Sequence, residues 1–479
     1  MVGGGASGTL LACHLLRATD AATRIVVIEE RAEVGLGTAY STSHPGHLLN
    51  VRASNMSAFP DDPDHFVRWL KANVPAAAGD APNAFTFAAR RDYGRYLLSL
   101  LAPYLDDVHG CRLEIISAKA ETLSTSPRGV EVRTNAGALI KADFGVLATG
   151  FDAQPQQEAR CFSDPWNSRA TAGLDPDAPV AILGTGLTMV DVVFTLRSSG
   201  HLGTIYAISR RGLMPQRHTP AVAVPLERDD IPFGKSLVAT WRWLRALAER
   251  SLSVHGDWRG AIDAIRPYSA ELWQRMPLES RRRFLRHARP WWDVHRHRMA
   301  PTVAEAIEAL RVSSKLEIIS AKIQTIEENE RGAGVRFRRR SQSVVETLQV
   351  ARIFLCTGVS PVPTTSSTSL VGHLLSSGVA RLDDLGLGLE VSSDDAIVAA
   401  QGAVSDRLFA VGPVTRGRYW EMLAIPDIRM QCQRLARHIA RLNIETDTSL
   451  VSHALAKERP IGPLWSWASQ LFRRGALHE

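Results

Sequence analysis

Cysteine is scarce: there are five in 479 residues, at Cys13, Cys111, Cys161, Cys356 and Cys432, and none forms C-x-x-C. That spacing excludes a zinc ribbon and a redox-active dithiol, and the odd, scattered count suits a reducing cytoplasm. Long apolar runs are missing too. No stretch approaches the roughly 18–20 residues of a membrane span. The N-terminus carries glycines where a secretory signal would need a basic region and an apolar core. One further absence is local. The chain opens MVGGGASGTLLACHLL, with Gly3, Gly5 and Gly8 at G-x-G-x-x-G spacing and only Met1 and Val2 ahead of them. A dinucleotide-binding turn is normally fed by a buried strand of about five or six residues. At about 3.3 Å per residue, two residues cover barely a third of it. The expectation is a first strand so truncated that its neighbours keep unpaired N–H and C=O groups, with translation starting upstream of Met1.

What is present reads as globular. The chain is 45% hydrophobic and 22% charged, and its length suits two or three domains rather than one core. Net charge is +7, and much of it is local. Residues 281–298, RRRFLRHARPWWDVHRHR, combine arginine, histidine and tryptophan. This run reads as a solvated basic helix followed by a packed Pro-Trp-Trp turn, not as a nucleic-acid reader. The two histidines of HRHR, His295 and His297, have no further ligand at metal-site spacing, so no metal is expected.

The order of segments points to an α/β protein with two Rossmann-like dinucleotide-binding domains. RIVVIEE (24–30) is a short β-branched run that follows the opening helix, as the second strand of a βαβ unit does. Residues 114–134 read as strands separated by a turn, and ADFGVLATG (142–150) as a buried strand. After a Pro/Asp/Gly-rich boundary the pattern recurs, with its leading strand intact, in PVAILGTGLTMVDVVFTLRSSGHLGTIYAISRRG (179–212). ARIFLCTG (351–358) and DRLFAVGPV (406–414) supply later strands. The expected organisation is a discontinuous first domain over 1–150 plus 355–440, a second over 178–354 with a helical insertion at about 236–312, and a tail over 441–479. The tail's PLWSWASQLFRR reads as a docked terminal helix rather than a membrane-surface one.

The two glycine turns carry different chemistry. Gly3 and Gly5 let backbone approach a pyrophosphate, the helix from Ser7 presents free N–H groups to it, and Glu29 stands where a carboxylate accepts from ribose hydroxyls. In the second turn Gly184 and Gly186 keep their places, but Met189 replaces the third small residue. The following strand ends in Ser209, Arg210 and Arg211, which suit a 2′-phosphate and hence NADPH over NADH. A carboxylate-ended site beside an arginine-ended one suggests FAD reduced by NAD(P)H. The missing C-x-x-C leaves oxygen or another acceptor, not a disulfide, as the flavin's partner.

Further stretches are distinctive: GLGTAYST (35–42), HLLNVRASNMSAFPDDPDHFVRWL (47–70), RRDYGRYL (90–97), ILGTGLTMVD (182–191), ISRRGLMPQRH (208–218), WDVHRHRMAP (292–301) and VGPVTRGRYWEMLAIPDIRMQ (411–431). Together they resemble the bacterial FAD/NAD(P)-binding monooxygenases that include a flavin-dependent urate hydroxylase and the aspartate N-monooxygenase that makes nitrosuccinate. The resemblance runs from Gly3 to about residue 440. It implies a cytoplasmic monooxygenase inserting one atom of O₂ through a C4a-hydroperoxyflavin. FAD would lie at Gly3, Gly5, Ser7, Gly8, Glu29, Asn50 and Gly412, and NAD(P)H at Gly184, Gly186, Thr188, Arg210 and Arg211. Members normally begin with an apolar strand that this chain lacks. Many flavoproteins also have Gly-Asp where it has Gly412-Pro413, so contacts there must differ.

A small anionic substrate such as urate or aspartate calls for arginine. Arg52, Arg217, Arg416 and Arg418 are the candidates, and Asp191 is a candidate to pair with a neighbouring arginine. No catalytic acid or base stands out. Urate 5-hydroxylation to 5-hydroxyisourate is the leading expectation and aspartate-type N-hydroxylation the alternative. The third reading is a flavin reductase or nucleotide-binding protein that does not oxygenate.

Overall fold

The computed structural model describes residues 1–20, 22–75, 81–105, 112–151, 161–167, 169–358 and 369–442. Cys111 and the amphipathic tail stretch lie outside them. The first domain's sheet places Ile25–Glu29 parallel to Leu113–Ser117. Its other half comprises Gly145–Leu147 parallel to Val404–Ala410, with Ala396–Val398 antiparallel at the edge. Met1 and Val2 fill the gap between these halves. Val2 bridges Leu147 on one side and Ile28 on the other, both in parallel sense. Its N–H donates to Val146 O at 2.8 Å and its carbonyl accepts from Ala148 N–H at 2.7 Å. Ile28 N–H donates to Met1 O and Gly3 N–H to Ile28 O, each at 2.9 Å.

The expected ladder of unpaired groups is therefore corrected at this level. The partner strands are short, three and five residues, so two residues satisfy most of what a longer strand would meet. The first domain's core joins residues 2–148 to residues 370–439. A separate antiparallel sheet of Ala120–Ser126, Gly129–Thr134 and Leu139–Ala142 connects its strands.

The second domain is a seven-stranded sheet. Phe162–Ser163, Arg352–Leu355, Val180–Leu183, Ile205–Ser209 and the first part of Leu316–Asn329 run parallel. Leu316–Asn329 shifts register between Ile323 and Thr325, and its far half pairs antiparallel with Gly332–Arg339. The run Val180–Leu183 is buried throughout, as a parallel strand covered on both faces must be.

The insertion builds its own core from Leu244, Leu247, Ile262, Ile265, Trp273, Phe284 and Trp292, and it receives Trp420 from the first domain. Its helices run from Leu237 to Arg296. The helix Pro301–Val312 buries Val303 and Ile307 in the second domain's core instead. It is thus the crossover helix before Leu316–Asn329, so the insertion proper ends earlier than the sequence pattern suggests. A π-helical turn at Phe284–Ala288 precedes the helix Arg289–Arg296, whose Pro290 cannot donate a backbone N–H.

Candidate cofactor and substrate sites

The first glycine turn is built by close approach. Gly3 holds φ +97°, and a Cβ on it would lie 2.4 Å from Ala148 O; a Cβ on Gly8 would lie 2.1 Å from Gly3 O. Helix Ala6–Ala18 begins directly after Gly5, with no side-chain cap and no acidic residue in its first turn. Its leading amides therefore have no side-chain cap to accept from them. Glu29 closes the turn: its Oε2 accepts from Gly4 N–H at 2.6 Å and its Oε1 from Arg31 N–H at 3.0 Å. Gly412, at φ +78°, arrives from the end of Val404–Ala410, where a Cβ would lie 2.3 Å from Ser7 Oγ. The fold thus brings Gly3, Gly5, Ser7, Gly8, Glu29 and Gly412 together. The Asn50 carbonyl accepts from His218 Nε2 at 3.0 Å.

The second turn repeats this geometry. Gly184 holds φ +118°, and a Cβ would strike Cys356 O at 2.1 Å, whereas a Cβ on Gly186 would meet nothing within 4 Å. Gly186 thus borders open space at the start of helix Leu187–Ser198. Thr188 lies in that helix's first turn. Ser209 Oγ binds Thr185 Oγ1 and accepts from Gly212 N–H, each at 3.0 Å, which fixes the strand end. Arg210 is exposed beside it. Arg211 donates to His287 O of the insertion at 3.3 Å.

Side chains from the first domain clamp the helix Leu187–Ser198. Arg90 pairs with Asp191 at 2.9 Å. His47 Nε2 lies 3.0 Å from both Asp191 O and Thr195 Oγ1, and its Nδ1 lies 2.8 Å from Thr42 Oγ1. Burial, reinforced by His44, pushes the His47 pKa down to about 4. Burial pushes Asp191 up to about 6 despite Arg90.

The four candidate arginines separate. Arg217 is exposed and paired with Glu305 at 2.7 Å. Arg52 donates to Thr219 O at 3.1 Å and lies over the Phe85 ring. Arg418 is half-buried and donates to Val391 O at 3.4 Å. Arg416 is buried, at 6% exposure. Its guanidinium lies 4.3 Å from the Trp420 ring centre, and among the described residues its hydrogen bond is Nε to Trp420 O at 3.4 Å. Burial, then Arg289, brings its pKa down to about 10, against the opposing pull of Asp293 and Glu421.

Arg416 sits at a seam. Trp420, held at φ +35°, stacks on Trp273 of the insertion at 4.9 Å, and Trp273 Nε1 donates to Gly417 O at 2.8 Å. Left-handed backbone at a bulky residue is rare and persists where surrounding packing holds it. Buried Glu421 accepts from Trp292 Nε1 at 2.7 Å and pairs with Arg296 at 3.2 Å. Burial works against its charge, but Arg296, His297 and the indole N–H together hold its pKa below the usual carboxylate value. The basic run 281–298 is thus divided: Arg282, Arg283, Arg286 and His287 are exposed, while Arg296 and Arg298 at its far end are buried. Among the described residues, no group of three or more His, Cys, Asp or Glu side chains is placed to hold a metal ion. No helix among them is long and apolar enough to cross a membrane.

Residues 1–152 match a family model (NAD_binding_9) described as FAD-NAD(P)-binding. No curated protein matches the sequence. Among solved structures, the chain is similar to the L-lysine 6-monooxygenase from Pseudomonas syringae, at TM-score 0.62 and 17% identity, over 92% of this chain and 98% of that one. The reduced ornithine hydroxylase from Pseudomonas aeruginosa superposes at TM-score 0.61 and 13% identity, over 92% and 97% of the two chains. The ornithine N-hydroxylase from Kutzneria sp. 744, solved with reduced FAD, NADP⁺ and L-ornithine, gives 0.58 and 16%, over 92% and 98%. The chain therefore has an α/β fold of Rossmann-type FAD/NAD(P)-binding domains, the fold of flavin-dependent monooxygenases.

Proposed function

We propose that the chain is an NAD(P)H-dependent flavin monooxygenase acting on a small anionic substrate. FAD is assigned to Gly3, Gly5, Ser7, Gly8, Glu29, Asn50 and Gly412, and NAD(P)H to Gly184, Gly186, Thr188, Arg210 and Arg211. The residues fit these groups: bare helix N-termini face both glycine turns, and the space beside Gly186 would be narrowed by any side chain. When bound, FAD supplies oxygen activation and NAD(P)H supplies the electrons. The protein's own part is to bind, orient and keep water out. Glu29 exchanges the Gly4 N–H for ribose hydroxyls, and exposed Arg210 offers a cation to a 2′-phosphate.

The observation that carries the substrate class is Arg416, a buried guanidinium with no carboxylate hydrogen bond among the described residues. Such a group is costly unless an anion completes it. Because Asp293 and Glu421 act on the same arginine, the seam has both signs of charge. That mixture suits a zwitterion better than a simple anion. The hydroxylases of similar fold take amino acids, by the names they carry. An acidic amino acid of the aspartate type is therefore the first substrate proposed, hydroxylated on its amine with one O₂, one NAD(P)H and one proton consumed and one water released. Urate hydroxylation is the second reading, carried by the resemblance of the motifs and satisfied by Arg416 alone.

The test is anaerobic reduction of the FAD-loaded protein by NADPH, followed by admission of air with L-aspartate or with urate. Hydroxylamine or nitrite formed in step with NADPH oxidation supports the first substrate, and coupled loss of urate the second. Peroxide alone with both would remove the two substrates. A bound flavin that NADPH never bleaches would overturn the monooxygenase reading.

A further inference from the structure

Asp395 is fully buried and holds φ +64°, a left-handed conformation that few residue types other than glycine, asparagine and aspartate adopt. Its carboxylate accepts three hydrogen bonds, from Tyr419 Oη at 2.8 Å, Gln431 Nε2 at 2.8 Å and Arg434 Nη2 at 2.7 Å. A carboxylate only accepts, so Gln431 must turn its amino group toward Asp395. The other end of the amide then has one possible role. Gln431 Oε1 accepts from Gly412 N–H at 2.8 Å.

The same amino group also donates to Thr415 Oγ1 at 3.1 Å, and Thr415 Oγ1 donates to Gly412 O at 2.8 Å. Both backbone polar groups of Gly412 are thus taken by side chains that are themselves fully buried, Gln431 and Thr415. This arrangement pins the turn Gly412–Thr415 against Ser7. It also withdraws the Gly412 N–H from any ligand at the turn.

We infer that Asp395 is a positioning residue for the flavin, acting through the enforced orientation of Gln431 to set the Gly412–Thr415 turn. The inference rests on the assignment of FAD to Gly412 made above. Asp395 does not touch the cofactor in this scheme. It supplies the one hydrogen-bond polarity that lets Gln431 capture Gly412.

The polarity can be inverted and restored. Asp395→Asn offers a donor where Gln431 also donates, and Gln431→Glu sets two carboxylates face to face. The double variant D395N/Q431E restores a donor–acceptor pair and leaves a carboxylate oxygen for Gly412 N–H. Each single variant is expected to weaken FAD binding to the apoprotein by roughly ten-fold or more, the scale of a misdirected buried hydrogen bond, and to alter the bound flavin's visible spectrum. The double variant is expected to recover both. Unfolding of the FAD-free proteins, measured alongside, separates general loss of stability from the flavin effect. If the singles do not fold, Thr415→Val is read in the same way, since it removes the hydroxyl that reaches Gly412 O. Unchanged FAD affinity and spectrum in the variants that fold, whatever their stability, would overturn the inference. Failure of the wild-type protein to bind FAD would instead overturn the cofactor assignment.

Discussion

Arg90 and Asp191 meet across the boundary between the two dinucleotide domains, guanidinium to carboxylate at 2.9 Å, with side-chain exposures of 13% and 11%. The pair ties the N-terminus of helix Arg90–Leu101 to the helix after the second glycine turn. Removing one charge leaves the other buried without its partner. Asp191→Asn should therefore destabilise the protein by about 3–5 kcal/mol, whereas the double change Arg90→Met with Asp191→Leu should cost clearly less. Urea unfolding of the three variants checks the order, and equal losses would show that the pair does not act as a unit.

The buried histidines predict an acid-sensitive stability. Burial holds His14, His47 and His218 down to about 4, from an ordinary 6.5. For a base with a lowered folded pKa, the unfolded chain takes up the proton first as pH falls. Stability from this source is full above pH 6.5 and is lost on descent toward pH 4. Two of these histidines join elements from the two domains, His47 to Asp191 O and His218 to Asn50 O. His218→Gln should flatten the profile, lowering proton uptake on unfolding near pH 5 by about one. Unfolding measured across that range, in wild type and variant, gives the comparison.

How much could be read beforehand depended on distance along the chain. Gly3, Gly8 and Gly184 are legible because their reason is local: a turn in which a side chain would fall on a nearby backbone carbonyl. Glu29 follows from strand length for the same reason. Arg90, Gln431 and Asp395 are not legible, since their roles exist only after distant segments meet; Gln431 reaches Asp395 across 36 positions. The helix Pro301–Val312 looks continuous with the insertion because helical periodicity does not say which core a face enters. Arg211 is legible as a cation at a strand end, but its link to His287 O depends on an insertion whose placement no spacing reveals. The charge of the run 281–298 is equally mute about Glu421, which takes Arg296 and Trp292 inward.

The two glycines of the second turn offer a clean separation of folding from binding. A Cβ at position 184 would lie 2.1 Å from Cys356 O, with φ +118°, so Gly184→Ala should impair the fold itself. At Gly186, with nothing within 4 Å, an alanine meets only the space assigned to the nucleotide. Gly186→Ala should leave unfolding stability within about 0.5 kcal/mol while weakening NADPH binding. Thermal unfolding and NADPH titration of the two variants check this; a Gly186→Ala protein with normal NADPH affinity would remove the nucleotide from that turn.

Arg416 makes the sharpest prediction because stability and function should move in opposite directions. Its guanidinium is buried against Trp420, with a pKa brought down to about 10, and its one hydrogen bond among the described residues runs to a backbone carbonyl. Replacing such a cation with a residue of similar length removes a desolvation cost without breaking a carboxylate pair. Arg416→Met should therefore leave the protein as stable as wild type or more stable, by up to about 1 kcal/mol. The same change should abolish the substrate's stimulation of NADPH oxidation while basal flavin reduction continues. A structural arginine would give the reverse, with a lower unfolding midpoint and an unaltered substrate response. The neighbouring Glu421 would then need another reason for its buried place beside Arg296, since the seam would hold no substrate for the two signs of charge to orient.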